Sequence, residues 1–323
     1  MKELALAGNP NSGKTSLFNI LTGSSQHVGN WPGVTVEKKS GLFRKNKEII
    51  IQDLPGIYSL SPYTSEEMVS RNYLLSGNAD AILDVVDATN LERNLYLSLQ
   101  LIETGIPVVL ALNMSDVVEK QGKWIDTTKL SYQLGVPVVA TSALKKTGID
   151  QVMQKVLREM ERTDETLYPV YDSHFEAALS EIIRILGNAV PQKQARFYAI
   201  KLFERDKELS EQLVLSDFQK TEIEDAIRIT EEIYTEDAET IVVNARYEFI
   251  ESAVKMALQA DVTKLSLSDK IDRIVTNRYL ALPIFALVMW LVYFLSIQTI
   301  GTMGTDWTND VLFGEWIPNG VKS

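Results

Sequence analysis

The chain has 323 residues, 45% hydrophobic and 23% charged, the composition of a folded protein with room for two or three domains. It has no cysteine and only two histidines, His27 and His174, which excludes a disulfide scaffold, an iron–sulfur cluster and a thiolate or polyhistidine metal centre within these residues. A net charge of -11 argues against a nucleic-acid binder.

Leu4–Ala7 reads as a short apolar strand ending at Gly8, and Lys14–Thr22 as a helix. Ser40–Phe43 and Ile49–Ile51 flank the charged turn Arg44–Lys47 and predict a β-hairpin. Ala81–Val86, Pro107–Leu112 and Pro137–Ala140 are apolar runs suited to strands buried on both faces. Helical patterns lie near 65–76, 90–104, 127–134 and 148–160, the first with Thr64 and Glu67 as a capping box. This alternation predicts an α/β domain, a mostly parallel sheet with helices on both faces.

Residues 1–160 carry 16 basic and 16 acidic side chains, whereas 161–260 carry 11 and 21, so a boundary is expected near residue 160. Phe175, Leu179, Ile182 and Leu186 recur at helical spacing, as do Val242, Ala245, Phe249 and Ala253. Residues 167–260 therefore read as an all-α bundle. Its acidic run, Glu222, Glu224, Asp225, Glu231, Glu232, Glu236, Asp237 and Glu239, reads as a solvated face rather than a metal site.

From Tyr279 to Thr305 there is no charged residue. The 21 residues Leu280–Ile300 would span roughly 30 Å as a helix, the thickness of a bilayer core. Lys264, Lys270, Arg273 and Arg278 precede them; Asp306, Asp310 and Glu315 follow, with Tyr279, Trp307 and Trp316 at the expected interfaces. The positive-inside rule then puts the N-terminal side in the cytoplasm. One span near the end of a chain suggests a piece of a longer membrane protein. The expected divisions are 1–163, a nucleotide-binding domain; 164–262, a helical domain; 263–279, a juxtamembrane segment; 280–303, a transmembrane helix; and 304–323, an extracytoplasmic tail.

Gly8-Asn9-Pro10-Asn11-Ser12-Gly13-Lys14-Thr15, followed by Ser16, matches the phosphate-binding loop G-x-x-x-x-G-K-[ST] after a strand and at the start of a helix. The glycines let backbone N–H groups wrap the phosphates, with the helix N-terminus behind them. Lys14 is placed to reach the β- and γ-phosphates, and the Thr15 hydroxyl to bind magnesium. Asp53-Leu54-Pro55-Gly56 follows the third strand: Asp53 can hold magnesium through water, and the Gly56 N–H can meet the γ-phosphate. Thr35, in the polar stretch Gly29-Asn30-Trp31-Pro32-Gly33-Val34-Thr35, can offer a hydroxyl to magnesium from a mobile segment. Asn113-Met114-Ser115-Asp116 supplies a carboxylate for the guanine N1–H and N2 amino group. Thr141-Ser142-Ala143-Leu144 supplies a backbone N–H for guanine O6. Ile57 follows Gly56, so no side chain there can orient water, and Met114 puts a long uncharged side chain in the base motif. His27 reads as a solvated loop histidine.

The order of these motifs resembles the translation-factor-like small GTPases. With Val28–Val36, Asp53–Leu60 and Ser268–Ile274 added, the chain resembles the FeoB ferrous iron transporter family over its whole length. That resemblance implies a cytoplasmic GTPase domain and a helical domain coupled to a multi-pass permease in the cell membrane. Small cytoplasmic accessory proteins and self-association are further partners it implies. It also implies potassium-activated hydrolysis, with Asn11 and the carbonyls near Gly29 and Trp31 around the ion. The competing reading is a membrane-tethered GTPase signalling switch that docks a partner without transport. A soluble GTPase of ribosome assembly is disfavoured by the absence of a basic surface.

Overall fold

The computed structural model describes residues 1–23, 26–61, 63–162, 168–260, 275–277 and 280–309. It divides into two compact units, Met1–Asp261 and Val262–Ser323. The strands of the first unit are β1 (Lys2–Gly8), β2 (Gln26–Asn30), β3 (Glu37–Leu42), β4 (Ile49–Asp53), β5 (Ala81–Asp87), β6 (Val108–Asn113), β7 (Lys123–Ile125), β8 (Val138–Ala140) and β9 (Leu258–Ala260). Seven form one sheet in the order β2-β3-β4-β1-β5-β6-β8, and β7 pairs with β9 in a second. Strands β4, β1, β5, β6 and β8 are mutually parallel, and β2 and β3 add an antiparallel edge.

The helices that cover this sheet are α1 (Lys14–Thr22), α2 (Ser65–Leu75), α3 (Leu91–Glu103), α4 (Ser115–Lys120), α5 (Thr127–Leu134) and α6 (Ile149–Glu159). Alternate residues of β1 feed two different cores, as period-two geometry requires. Leu4 and Leu6 pack with Leu17 and Phe18 of α1 and Val152 and Val156 of α6. Ala5 and Ala7 belong to the opposite core, with Leu95 of α3 and Leu130 of α5.

Five more helices follow: α7 (Ser173–Leu186), α8 (Ala195–Phe203), α9 (Lys207–Gln212), α10 (Asp217–Tyr234) and α11 (Ala238–Ala257). Phe175, Leu179, Ile182 and Leu186 are buried in their shared core, as their spacing predicts. Asp172, Asp206, Ser216 and Asp237 cap α7, α9, α10 and α11, each contributing on the order of 1 kcal/mol. This bundle is not a free-standing body: Ile250, Ala253, Val254 and Ala257 of α11 complete the sheet's own core. Arg246 of α11 and Glu103 of α3, 1% and 0% exposed, pair at 2.7 Å, and Arg246 also reaches Glu204 at 3.0 Å. Removing one partner from such a buried pair costs about 3–5 kcal/mol.

Three sequence expectations change. The stretch around residues 26–30 is strand β2, paired with β3 along its whole length. It is mostly exposed on both faces, so it leaves no alternating pattern to read. The capping box on α2 is half formed: Glu67 N–H donates to Thr64 Oγ1 at 3.2 Å, but the Glu67 carboxylate accepts from Ser59 Oγ instead. The third change concerns the uninterrupted spanning helix expected over 280–303. Among the described residues no helix is long and apolar enough to cross a membrane. The stretch is α-helical over Ala281–Tyr293, widens to π-helical turns over Phe294–Gly301 and is α-helical again over Thr302–Trp307. Gly301 sits so close to the Ser296 carbonyl that a Cβ would lie 2.4 Å from it, which fits the wider turn there. The basic flank at Lys264, Lys270, Arg273 and Arg278, the Ser268–Ile274 stretch, Tyr279, and Asp310, Glu315, Trp316 and Lys322 lie outside the described residues.

Candidate functional site

The candidate site lies at the C-terminal edge of the sheet, where the loops after β1, β4, β6 and β8 meet. Gly8 ends β1 at φ 150, and a Cβ there would stand 2.5 Å from the Val85 carbonyl oxygen. Gly13 opens α1 at φ 89, and its Cβ would strike Asn113 Nδ2 at 2.1 Å. Only glycine fits at either position. Asn11 between them holds a left-handed φ of 66, which asparagine tolerates, and is exposed at the rim. Pro10 lies against Gly56, whose Cβ would be 3.3 Å from Pro10 Cα, so the phosphate loop and the Asp53–Gly56 loop touch. Ile57 turns into the core, away from the site.

Lys14 Nζ donates to Asp53 Oδ1 and to the Leu54 carbonyl, both at 2.5 Å. Burial pushes the Asp53 carboxyl above its ordinary value, against the lowering pull of Lys14 and then Lys39. Thr15 and Ser16 are exposed on the first turn of α1. Asn9 and Ser12 are 4% and 0% exposed, and Asn9 Nδ2 and Ser12 Oγ have no hydrogen-bond partner within the chain. Buried donors of this kind ordinarily find one, and an oxygen-rich anion in the loop would supply it.

Asn113 holds the site together. Its Nδ2 donates to the Ser12 carbonyl at 2.8 Å, and its Oδ1 accepts from Ala143 N–H at 2.8 Å. Phosphate loop and both base-side loops thus meet on one side chain. Ala143 N–H, expected among the partners of guanine O6, is committed to Asn113 here; Leu144 is 90% exposed and Ser142 is buried. Met114 starts α4 at a left-handed φ of 61. Asp116, on the first turn of α4, has its carboxyl held below the ordinary range by a hydrogen bond from Ser142 and then by Lys145, 3.3 Å away. Lys145 was not foreseen from the sequence; it lies just past the Thr141–Leu144 motif.

Thr35 is not drawn into this cluster. It is exposed, on a turn held by Trp31 N–H to Val36 O at 2.9 Å and Val34 N–H to Trp31 O at 3.3 Å, with Gly33 at φ 79. The Trp31 ring is buried, edge-on to Tyr73 of α2 at 5.4 Å. Gly29 sits in β2 opposite Lys38, and His27 is exposed opposite Ser40. Arg93 of α3 stacks on Tyr58, 4.4 Å from its centroid, an unforeseen clamp on the chain just after Gly56. Among the described residues no group of three acidic or histidine side chains is placed to hold a metal. Four members of the acidic run on α10 are instead ion-paired: Arg205 holds Glu224 and Glu231, and Arg228 holds Asp225 and Glu232.

Comparison with known proteins agrees with this geometry. Residues 2–156 match the family model for ferrous iron transport protein B, and 171–259 match that of the FeoB cytosolic helical domain. A GDP-bound variant of the S. thermophilus FeoB G-domain is 65% identical, with a TM-score of 0.79, over 80% of this chain and 100% of that one. The mGMPPNP-bound NFeoB from S. thermophilus is also 65% identical, with a TM-score of 0.73, over 81% of this chain and 99% of that one. The Fe(2+) transporter FeoB of Escherichia coli K12 is 38% identical, and an Fe(2+) transport protein A/Fe(2+) transporter FeoB fusion protein of Porphyromonas gingivalis 42%, each over 94% of this chain. The chain spans only 40% and 38% of those two relatives' lengths. Motifs, sheet order and relatives agree: the chain belongs to the FeoB family of ferrous iron transport proteins, of which it carries the N-terminal GTPase domain and the cytosolic helical domain.

Proposed function

We propose that this chain binds and hydrolyses GTP on the cytoplasmic side of a ferrous-iron transporter and couples nucleotide state to a multi-pass permease. The observation that carries this reading is the Asn113 bridge, which gathers the phosphate loop and both base-side loops at one sheet edge. Relatives named as Fe(2+) transporters and relatives solved with GDP or mGMPPNP support the substrates. In this reading the loop amides from Asn9 to Thr15, with Lys14, hold the phosphates. Lys14 exchanges its bonds to Asp53 and Leu54 for phosphate oxygens, freeing the Asp53 carboxylate.

Thr15 and Asp53, hard oxygen donors beside Lys14, fit magnesium, and Thr35 joins them when its turn swings inward. Magnesium there would neutralise charge on the β- and γ-phosphates. Asn11, exposed at the loop rim, fits potassium through its side-chain oxygen, with carbonyls near Gly29 and Trp31. Such an ion would supply the positive charge that an arginine finger gives elsewhere. The uncharged stretch from 279 to 305, with Leu282, Phe285 and Trp290 more than 60% exposed, is read as membrane-embedded.

Turnover assays with GTP and ATP test the enzymatic half: GTP should be hydrolysed and ATP spared, and a chain that binds neither sinks it. Ferrous uptake by cells carrying the parent reading frame, intact or Lys14→Ala, tests the transport half. Equal uptake by the two would remove nucleotide from transport.

A further inference from the structure

Four of the five residues from Glu204 to Glu208 make ion pairs that reach α11, α10 and α2, and Glu204 also pairs with Lys201 of α8 at 2.6 Å. Glu204 Oε1 accepts from the buried Arg246 of α11, which is paired in turn with Glu103 of α3. Arg205 grips Glu224 and Glu231 of α10. Asp206 and Glu208 both pair with Arg71 of α2, the former at 2.9 Å. Arg71 is 1% exposed, and the Asp206 side chain 5%.

The backbone that carries these charges is stiff. Arg205 N–H donates to the Leu202 carbonyl and Asp206 N–H to the Lys201 carbonyl, each at 2.9 Å, with Arg205 at φ 55. That is a Schellman turn closing α8, with arginine in the conformation that favours glycine. Asp206 then caps α9 through Leu209 N–H at 3.1 Å. A displacement at Asp206 therefore cannot be absorbed locally; it reaches Arg205 one residue away.

The other end of the relay is α2, the first helix after the Asp53–Gly56 loop. We propose that residues 204–208 relay the nucleotide-dependent position of α2 to α10, with Arg71 as the lever, the Glu204–Arg246–Glu103 cluster as the fixed pivot and Arg205 as the output. This rests on reading Gly56 as the contact to the γ-phosphate, and it names the path by which that contact reaches the outer helices. A motion of α2 that left α10 still would have to break a buried pair or distort the turn, and an interface with discrete arrangements resists both.

The chain has no cysteine, so paired spin labels can be placed cleanly. Cysteines replace Ile229, 53% exposed on α10, and Gln154, exposed on α6. Pulsed EPR distances are recorded with GDP and with a non-hydrolysable GTP analogue, and nucleotide binding is measured on the same samples. The distance should shift between the two nucleotides. Arg71→Met should abolish the shift while both nucleotides still bind, and Arg205→Gln should abolish it with the Arg71 pairs intact. Because Arg71→Met strands the buried Asp206 carboxylate, the neutral triple variant Arg71→Met/Asp206→Asn/Glu208→Gln is measured beside it and should behave alike. A shift that survives in a folded Arg71 variant would reduce these pairs to interface glue and end the proposal. Two bound nucleotides giving one wild-type distance would end it too. Absence of binding would instead sink the nucleotide-switch reading beneath it.

Discussion

At Asp116 the low-lying carboxyl stays ionised at neutral pH, which suits an acceptor for two guanine donors. Asparagine there would turn one acceptor into a donor facing a donor, whereas xanthine, with a carbonyl at position 2, would fit. Asp116→Asn should weaken GTP binding roughly ten- to a hundred-fold, the worth of a lost charge-assisted contact. Nucleotide titration decides it, and unchanged GTP affinity would mean the base is read elsewhere. Asp84, on β5 beneath α3, behaves in the opposite sense. Burial lifts its carboxyl to about 7, although Ser98 Oγ, 2.5 Å away, pulls it down. With its folded value above the unfolded one, the folded state holds the extra proton. Its contribution is whole below about pH 4 and is lost as pH rises through 7, at up to about 1.4 kcal/mol per pH unit. Asp84→Asn should therefore gain stability on the wild type between pH 5 and 7.5. Parallel unfolding midpoints across that range would show that Asp84 carries no such proton.

At the scale of the element, the phosphate loop and the β2 segment share one question. No arginine lies in the phosphate loop or between Ser24 and Thr35, and Ile57 is buried. In the proposed mechanism a bound cation would supply the charge stabilisation at the β–γ bridging oxygen. GTP turnover should rise in potassium over sodium at equal ionic strength. Asn11→Ala should remove that difference and keep nucleotide binding, since in the proposed site amides and Lys14 hold the phosphates. Equal wild-type rates in the two salts would end the potassium argument. The shape of the loop over residues 8–15 was legible because its spacing encodes a backbone that few other residues allow, as Gly8 and Gly13 show. Strand β2 was not: an exposed edge strand pairs through its backbone, and polar side chains facing water leave no periodicity. The Lys145–Asp116 and Arg205–Glu224 pairs were hidden for another reason, since long charged side chains meet partners that only the tertiary fold brings near.

For the whole molecule, α7 and α11 were legible from their apolar spacing and residues 167–260 as helical, but the attachment of the bundle was not. Nothing in the pattern of α11 says that Ile250 and Val254 complete the core of the sheet rather than that of their own bundle. The apolar stretch was legible as apolar, while its π-helical turns depend on backbone geometry that composition does not carry. The basic residues before it predict that position 268 faces the cytoplasm and 309 the outside. Single cysteines replacing Ser268 and Asn309 report this directly. Labelling of 268 but not 309 by an impermeant reagent in intact cells would invert the topology.

The small β7–β9 sheet has a mechanical meaning. Ala260 pairs with Lys123, Gln259 with Trp124 and Leu258 with Ile125, so the strand that ends the described part of the first unit is held antiparallel at three positions. Pulled across the ribbon from its Ala260 end, such a pairing opens one rung at a time, starting at Lys123. Releasing all three rungs frees about 10 Å of extended chain after α11. A displacement across the ribbon is thus met first by these three rungs and only then by the helix that completes the core of the nucleotide domain.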